Sequence, residues 1–209
     1  MKYRAVIVDA FGTIVRIPSA MHPYRQLLRE GIHHGRAPTP TDLRMLMMFD
    51  GDLAEAAEYL RIKVRPGRLD QIQAVLKREL DSIEAFPDAL EAVAALQARK
   101  ILVGVCSNLA QAYGAPVKHL FPSLDAHTFS YQLGALKPDP VMYRHACGQL
   151  GVPLDDRFGD ERVGMVGDSL RCDCNGPRAV GINGIHLVRS GGGKITNLMD
   201  FAALVLTDG

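Results

Sequence analysis

The sequence predicts an α/β fold in which a parallel sheet, covered by helices on both faces, is interrupted by a helical insert. Three observations carry this. Short β-branched runs recur along the chain, amphipathic helical patterns alternate with them, and residues 17–83 hold helical patterns with no convincing strand. Strand and helix in alternation imply parallel pairing with right-handed crossovers.

In chain order, Ala5-Val6-Ile7-Val8 is a continuous apolar run, the pattern of a strand buried on both faces. The insert then reads as HPYRQLLREGI, TPTDLRMLMMF, GDLAEAAEYLRI and PGRLDQIQAVLKRELDSI, separated by Gly and Pro. Thr41 followed by Asp42 reads as the cap of the second of these helices. FPDALEAVAALQARK starts on Pro87 and Asp88 and sets Ala89, Val93 and Leu96 on one stripe. Ile101 to Cys106 is the next strand, and a weaker one lies near Ala126 to Ser130. A helix is expected from Asp139 to Leu150, stopped by Gly151-Val152-Pro153, then strands at Val163 to Val166 and Gly184 to Val188. The glycine-rich patch Ser190 to Lys194 fails the phosphate-loop pattern because Ile195 stands where Ser or Thr is required, and it reads as a flexible surface loop. The expected division is a core of residues 1–16 and 84–209 with residues 17–83 as the helical insert.

At 209 residues, 47% hydrophobic and 22% charged, the chain has ordinary soluble composition. A net charge of +1 leaves no electrostatic footprint for nucleic acid or an anionic membrane. No apolar run approaches the roughly 20 residues of a membrane helix. The start MKYRAVIVDAF meets Asp9 too early for a signal peptide and reads as a buried strand. A cytoplasmic chain is expected. Of the four cysteines, Cys172 and Cys174 form Cys-x-Cys, which fits neither zinc nor redox spacing, and with Cys106 and Cys147 they read as small, reduced, apolar residues.

In an open parallel sheet, ligands bind beyond the carboxyl ends of the strands. Asp9 ends the first strand, Ser107-Asn108 the second, and Gly167-Asp168-Ser169 a later one, while Lys137 lies in the loop after the weak strand. Singly, each is ordinary turn or capping chemistry. Together, four polar strand ends converging on one rim point to a site.

These residues resemble the motifs of the haloacid dehalogenase superfamily of hydrolases. Asp9-x-x-Gly12-Thr13 looks like its first motif with Asp9 as nucleophile, Ser107 its second, Lys137 its third, and Gly167-Asp168-Ser169-x-x-x-Asp173 its acidic fourth. The resemblance implies a Rossmann-like core whose insert, residues 17–83, is a cap that closes over the site. It also implies catalysis through a covalent aspartyl ester. Ser107 and Asn108, with the segment Phe11 to Thr13, would meet the substrate, and Lys137 would neutralise the nucleophile and the developing charge.

The first motif departs from the phosphatases of that superfamily, which carry a second Asp two places after the nucleophile. Here that position is Phe11, which moves no proton. DAFGT is similar to the DAYGT of the 2-haloacid dehalogenases, and Tyr143, six residues after Lys137, fits their pattern as a substrate-side residue. Against that reading, the insert has no Trp-Arg-x-x-Gln context. Arg25, Arg29, Arg36 and Arg44 stay unassigned. Asp168 is retained, and two crowded carboxylates need a cation between them. Asp9, Asp168, Asp173 and the main-chain carbonyl of Phe11 therefore look like a magnesium site.

The leading expectation is a magnesium-dependent hydrolase of a small phosphorylated metabolite whose leaving group needs no proton. Metal-free hydrolysis of a 2-halo acid and a feebly active binding or regulatory protein are the alternatives. A phosphonoacetaldehyde-hydrolase-like chemistry ranks lower, because Lys63 and Lys77 do not match the cap lysine it requires. His22, His33 and His34 are expected on the surface or in cap packing. Leu43, Met45, Leu46, Met47 and Met48 are expected in the core of the insert, with the cleft as the alternative.

Overall fold

Strand β1 (Ala5–Val8) is buried at all four positions, and this is what places it in the middle of the sheet. The computed structural model describes residues 3–152, 154 and 163–207. Numbered in chain order, the other strands are β2 (Val15–Arg16), β3 (Glu84–Ala85), β4 (Leu102–Ser107), β5 (Ala126–Phe129), β6 (Val163–Gly167) and β7 (Asn183–His186). The main sheet runs β5-β4-β1-β6-β7, with every pair parallel. From β1 the chain fills one side of the sheet with β4 and β5, then crosses to β6 and β7 on the other. The switch point thus lies at the carboxyl end of β1, where Asp9 stands.

All five expected strands are present, with ends moved by one or two residues. β4 extends to Ser107 because that residue pairs with Phe129. The short antiparallel ribbon of β2 and β3 was not expected, since two residues show no periodicity. It brings Val15 opposite Ala85, so the chain leaves and re-enters the core through adjacent strands.

Between them lie α1 (Pro23–Glu30), α2 (Pro40–Met48), α3 (Leu53–Tyr59) and α4 (Arg68–Asp81). They bury a core of their own, including Tyr24, Leu27, Leu28, Leu46, Leu53 and Ile72, which meets the rest of the molecule at Ala110. The cap of α2 is Thr39 instead of Thr41. The Thr39 hydroxyl accepts from the Asp42 amide at 3.3 Å, and the Asp42 carboxylate accepts from the Thr39 amide at 2.7 Å. This reciprocal pair needs a partner three positions after the cap, and Pro40 fits the first helical position. The methionine segment divides: Leu46 is buried in the insert core, Met45 packs on it, and Leu43, Leu46 and Met47 also line a cavity described below.

Helix α5 (Pro87–Ala98) begins at Pro87 and buries Ala89, Val93 and Leu96 as the spacing predicts. It is followed by α6 (Gly114–Leu120), α7 (Ser130–Leu133), α8 (Pro140–Gln149), α9 (Gly176–Arg178) and α10 (Leu198–Thr207). Asp139 caps α8 by accepting from the Val141 amide at 2.9 Å. Gly151 turns left-handed after α8, while Pro153, expected to complete that stop, lies outside the described residues. The Ser190 to Lys194 patch is an exposed loop, closed at its base by a hydrogen bond from the Val188 amide to the Ile195 carbonyl. Among the described residues all four cysteines are free, three of them buried. No helix among them is long and apolar enough to cross a membrane.

Candidate active site

The Asp9 amide donates to the Val166 carbonyl at 3.0 Å, one step beyond the β1–β6 ladder, so the strand itself fixes the Asp9 backbone. The chain then turns at once. Gly12 has φ of 77°, and a Cβ there would collide with the Asp168 carboxylate. Only glycine meets both demands at that position. The turn is braced from outside by Arg189, which donates to the carbonyls of Gly12 (3.2 Å) and Thr13 (2.6 Å). The Arg189 guanidinium also pairs with Asp88 and lies 3.7 Å from the centre of the Phe86 ring.

Lys137 is almost completely buried, and its ammonium donates to Asp9 Oδ1 at 2.7 Å, Asp173 Oδ1 at 2.6 Å and the Cys106 carbonyl at 2.7 Å. Three acceptors use all three of its protons. Burial disfavours its charge, yet Asp9 and Asp173 overcome this and hold its pKa above the usual lysine range. Asn108 fixes the Lys137 backbone from both sides, accepting from its amide at 2.7 Å and donating to its carbonyl at 3.0 Å.

Asp173 is carried by a π-helical turn, Leu170–Asn175, that follows β6. Such turns occur often at functional sites. Its second oxygen accepts from the Ser169 amide at 3.0 Å, and Gly167 leaves the space its carboxylate occupies. Burial raises the Asp173 carboxyl, Lys137 works against that rise, and Asp9 adds to it. Asp168 keeps an exposed face, but partial burial and then the Asp9 charge push its carboxyl up as well. Carboxylate oxygens of Asp9, Asp168 and Asp173 all lie within 4.8 Å of one another. One lysine against three carboxylates leaves a surplus of negative charge at the strand ends. A hard divalent cation fits that donor set.

The remaining expected residues are placed as follows. Ser107 is buried at the end of β4, one residue after Cys106, whose carbonyl accepts from Lys137. The Phe11 ring packs edge-on against that of Tyr113, with centroids 5.6 Å apart. Thr13 is fully buried, and among the described residues its hydroxyl has no partner. Tyr143 is fully buried too, and its hydroxyl donates to the Cys172 carbonyl at 2.6 Å. That bond ties α8 to the turn bearing Asp173. The Tyr143 and Asn108 side chains are thus engaged in holding Asp173 and Lys137 in place.

A cavity of about 220 Å³ opens beside this cluster, with Phe11 and Asn108 in its wall. Opposite them stand Tyr24, Arg25, Leu43 and Met47 of the insert, and Tyr113 completes the lining. Of the four unassigned arginines, Arg25 is the one in this wall, and Arg36 is spent on Asp42 at 2.7 Å. His22 shares the same wall.

Two contacts that the sequence did not announce fasten insert to core. Ser130 accepts from the Leu109 amide at 3.0 Å and donates to the Met47 carbonyl at 2.6 Å. Tyr113 donates to buried Glu79 at 2.5 Å, and that carboxylate also accepts from the amides of Met21 and His22. Tyr113 and Glu79 match no motif and end no strand, and Ser130, although it follows β5, carries no sequence signal of its link to Met47, so only positions in space reveal these contacts.

Residues 3–181 match the haloacid dehalogenase-like hydrolase family. The (S)-2-haloacid dehalogenase 4A of Burkholderia cepacia is 26% identical over 212 residues, spanning 90% of this chain and 84% of that one. Among solved structures, a HAD phosphatase from Thermococcus onnurineus superimposes with a TM-score of 0.65 at 19% identity, covering 97% of each chain. A dehalogenase solved with an intermediate complex superimposes with a TM-score of 0.62 at 22% identity, over 98% and 97%. At such identities the two superpositions speak for the fold, which phosphatases and dehalogenases share. The match across most of the length is what assigns the family, and the chain belongs to the haloacid dehalogenase-like hydrolases.

Proposed function

We propose that the chain is a magnesium-dependent hydrolase that removes a phosphoryl group from a small metabolite through an aspartyl-phosphate intermediate on Asp9. The observation that carries this reading is the retention of Asp168 within 4.8 Å of Asp9 and Asp173. Asp9, Asp168, Asp173 and the Phe11 carbonyl would hold the ion. When bound, magnesium offsets the repulsion between a carboxylate nucleophile and an anionic phosphate.

An oxygen of Asp9 attacks phosphorus, the bond to the leaving group breaks, and that group departs with the electron pair. Lys137 orients Asp9, while Ser107 and the Phe11 amide would meet the phosphoryl oxygens. Water then hydrolyses the aspartyl ester. Where the phosphatases place a proton donor, Phe11 presents a hydrocarbon ring. A general acid supplies roughly 100- to 10,000-fold, about 3 to 5 kcal/mol of barrier. The substrate class that tolerates this loss is one whose leaving group departs without a proton, such as an acyl phosphate. The insert, residues 17–83, acts as the cap that supplies the far wall of the cavity.

A second reading, metal-free hydrolysis of a 2-halo acid, is favoured by the Burkholderia relative and by Arg25 in an otherwise largely apolar wall beside Phe11. Product release separates the two. Wild type and Asp9→Asn are assayed on acyl, aryl and alkyl phosphates and on 2-chloropropionate, each with magnesium and with chelator. Phosphate release that requires both magnesium and Asp9 is the expected result. Halide release indifferent to chelator would replace it with the second reading.

A further inference from the structure

A second cavity, of about 390 Å³, lies between α1 and the start of α4 and shares His22 and Arg25 with the cavity at Phe11. Its character is the opposite of its neighbour's. Arg25, Arg29, Arg68 and His33 line it, and the one carboxylate in its wall is Glu30.

Glu30 is already committed. Its Oε2 accepts from Arg65 Nε at 2.9 Å, and its Oε1 accepts from Arg65 Nη2 at 3.0 Å and Arg68 Nε at 3.1 Å. These arginines hold its carboxyl down at about 2, so it stays ionised and paired. Arg68 is locked as well, donating to Gln26 at 2.9 Å and Gln71 at 3.1 Å besides Glu30. Those bonds use three of its five N–H groups and leave two. Arg25 and Arg29 have no carboxylate partner among the described residues, although they stand one turn apart on α1, where like charges repel. The cavity thus has one fixed guanidinium, two guanidiniums on exposed residues with no carboxylate partner and two imidazoles in its wall, and among the described residues no anion is left to satisfy them. Planar guanidiniums grouped in this way suit a multi-oxygen anion.

We propose that this cavity receives a second, non-reacting phosphate of the substrate, so that the preferred substrates are small metabolites phosphorylated at both ends. The reacting end would sit at Asp9, the body against the apolar wall of Phe11, Leu43 and Met47, and the far phosphate past Arg25 against Arg29 and Arg68. This assignment rests on the phosphohydrolase reading above for its reacting end, but the anion site itself does not.

The test compares acyl phosphates that bear a second phosphate at the far end with the same acyl monophosphates, using wild type and Arg29→Gln. In wild type, kcat/KM should favour the doubly phosphorylated member by about tenfold or more, mainly through KM, and Arg29→Gln should bring that ratio close to one. A ratio near one in wild type, or one that Arg29→Gln leaves untouched, overturns the proposal. A second arm needs no turnover: calorimetric titration of inorganic pyrophosphate in chelator, with no divalent cation at the carboxylates. Saturable binding weakened about tenfold in Arg29→Gln would sustain the anion site even if no phosphate ester were hydrolysed. Absent or variant-independent binding would overturn the site while leaving the phosphohydrolase reading intact. Pyrophosphate binding together with a substrate ratio of one would assign the cavity to a free anion and overturn the substrate assignment.

Discussion

Lys137 meets Asp9, Asp173 and the Cys106 carbonyl at once, and all of them are buried. Replacing it by Met leaves two carboxylates in low dielectric with no counter-charge. Lys137→Met should therefore abolish turnover and lower stability by about 3 to 5 kcal/mol, read as a drop in the urea midpoint. Asp9→Asn keeps the shape of the side chain and, on the proposed mechanism, should retain the fold while losing product release altogether. Phe11 invites the reverse experiment. A carboxylate introduced by Phe11→Asp restores a proton donor at the position where phosphatases of the family carry one. It should raise the rate on alkyl phosphates by on the order of 100-fold and change it little where the leaving group needs no proton. Equal effects on both classes would mean that Phe11 does not face the leaving group. At this scale Asp9 and Asp168 were legible in the sequence because each directly follows a strand, while Lys137, in the loop before α8, and Asp173, on the turn after β6, were legible through the motifs they resemble. Arg189 was not, since it lies 176 and 177 residues from the two carbonyls it braces.

Among the elements, α2 shows how a local rule can be read correctly in kind and misplaced in position. The segment TPTDL offers two threonines. Thr39 takes the cap because the Asp42 carboxylate then reaches back to the Thr39 amide and pairs with Arg36 at 2.7 Å as well. Thr39→Ala should cost about 1 kcal/mol and Thr41→Ala close to nothing, a difference that chemical denaturation resolves. Helix α7 carries a different kind of information. Ser130, in its first turn, joins the Leu109 amide of the core to the Met47 carbonyl at the end of α2. Ser130→Ala leaves both groups without that partner. The expected result is faster hydrogen exchange at the end of α2 than in wild type, with β1 and β4 unchanged. The two-residue strands β2 and β3 were invisible in the sequence because their pairing is set by closure of the insert and not by any repeat of their own.

Across the whole molecule, charge balance is local even though the net charge is +1. Glu30 is the clearest case, its carboxyl held at about 2 by hydrogen bonds from Arg65, against its burial, and further by Arg68. A carboxyl lower in the folded than in the unfolded chain binds fewer protons when folded. Its contribution is therefore complete above its unfolded value near 4.5 and is lost as pH falls through that value toward 2. Thermal midpoints measured between pH 6 and pH 2 should fall more steeply for wild type than for Glu30→Gln, which lacks the titrating group. Parallel curves would show that Arg65 and Arg68 gain nothing from the charge of Glu30. The same arginines, by taking up Glu30, leave Arg25 and Arg29 with no acidic partner in the second cavity among the described residues, so that its electrostatics follow from how α1 and α4 pack.

The sequence by itself determined the parallel core, the helical character of residues 17–83 and the acidic and basic residues at the strand ends. Those features are periodic or local: burial on both faces of a strand demands an unbroken apolar run, and the first polar residue after it must stand at the rim. The tertiary structure alone decided which of those polar groups touch. It brought Lys137 between Asp9 and Asp173, committed the Tyr143 hydroxyl and the Asn108 amide to holding that arrangement, and turned the Phe11 ring into the cavity. It also selected Arg25 from four equivalent-looking arginines. Contacts between residues far apart in the chain follow from how helices pack on the sheet, and no spacing along a single strand or helix encodes them.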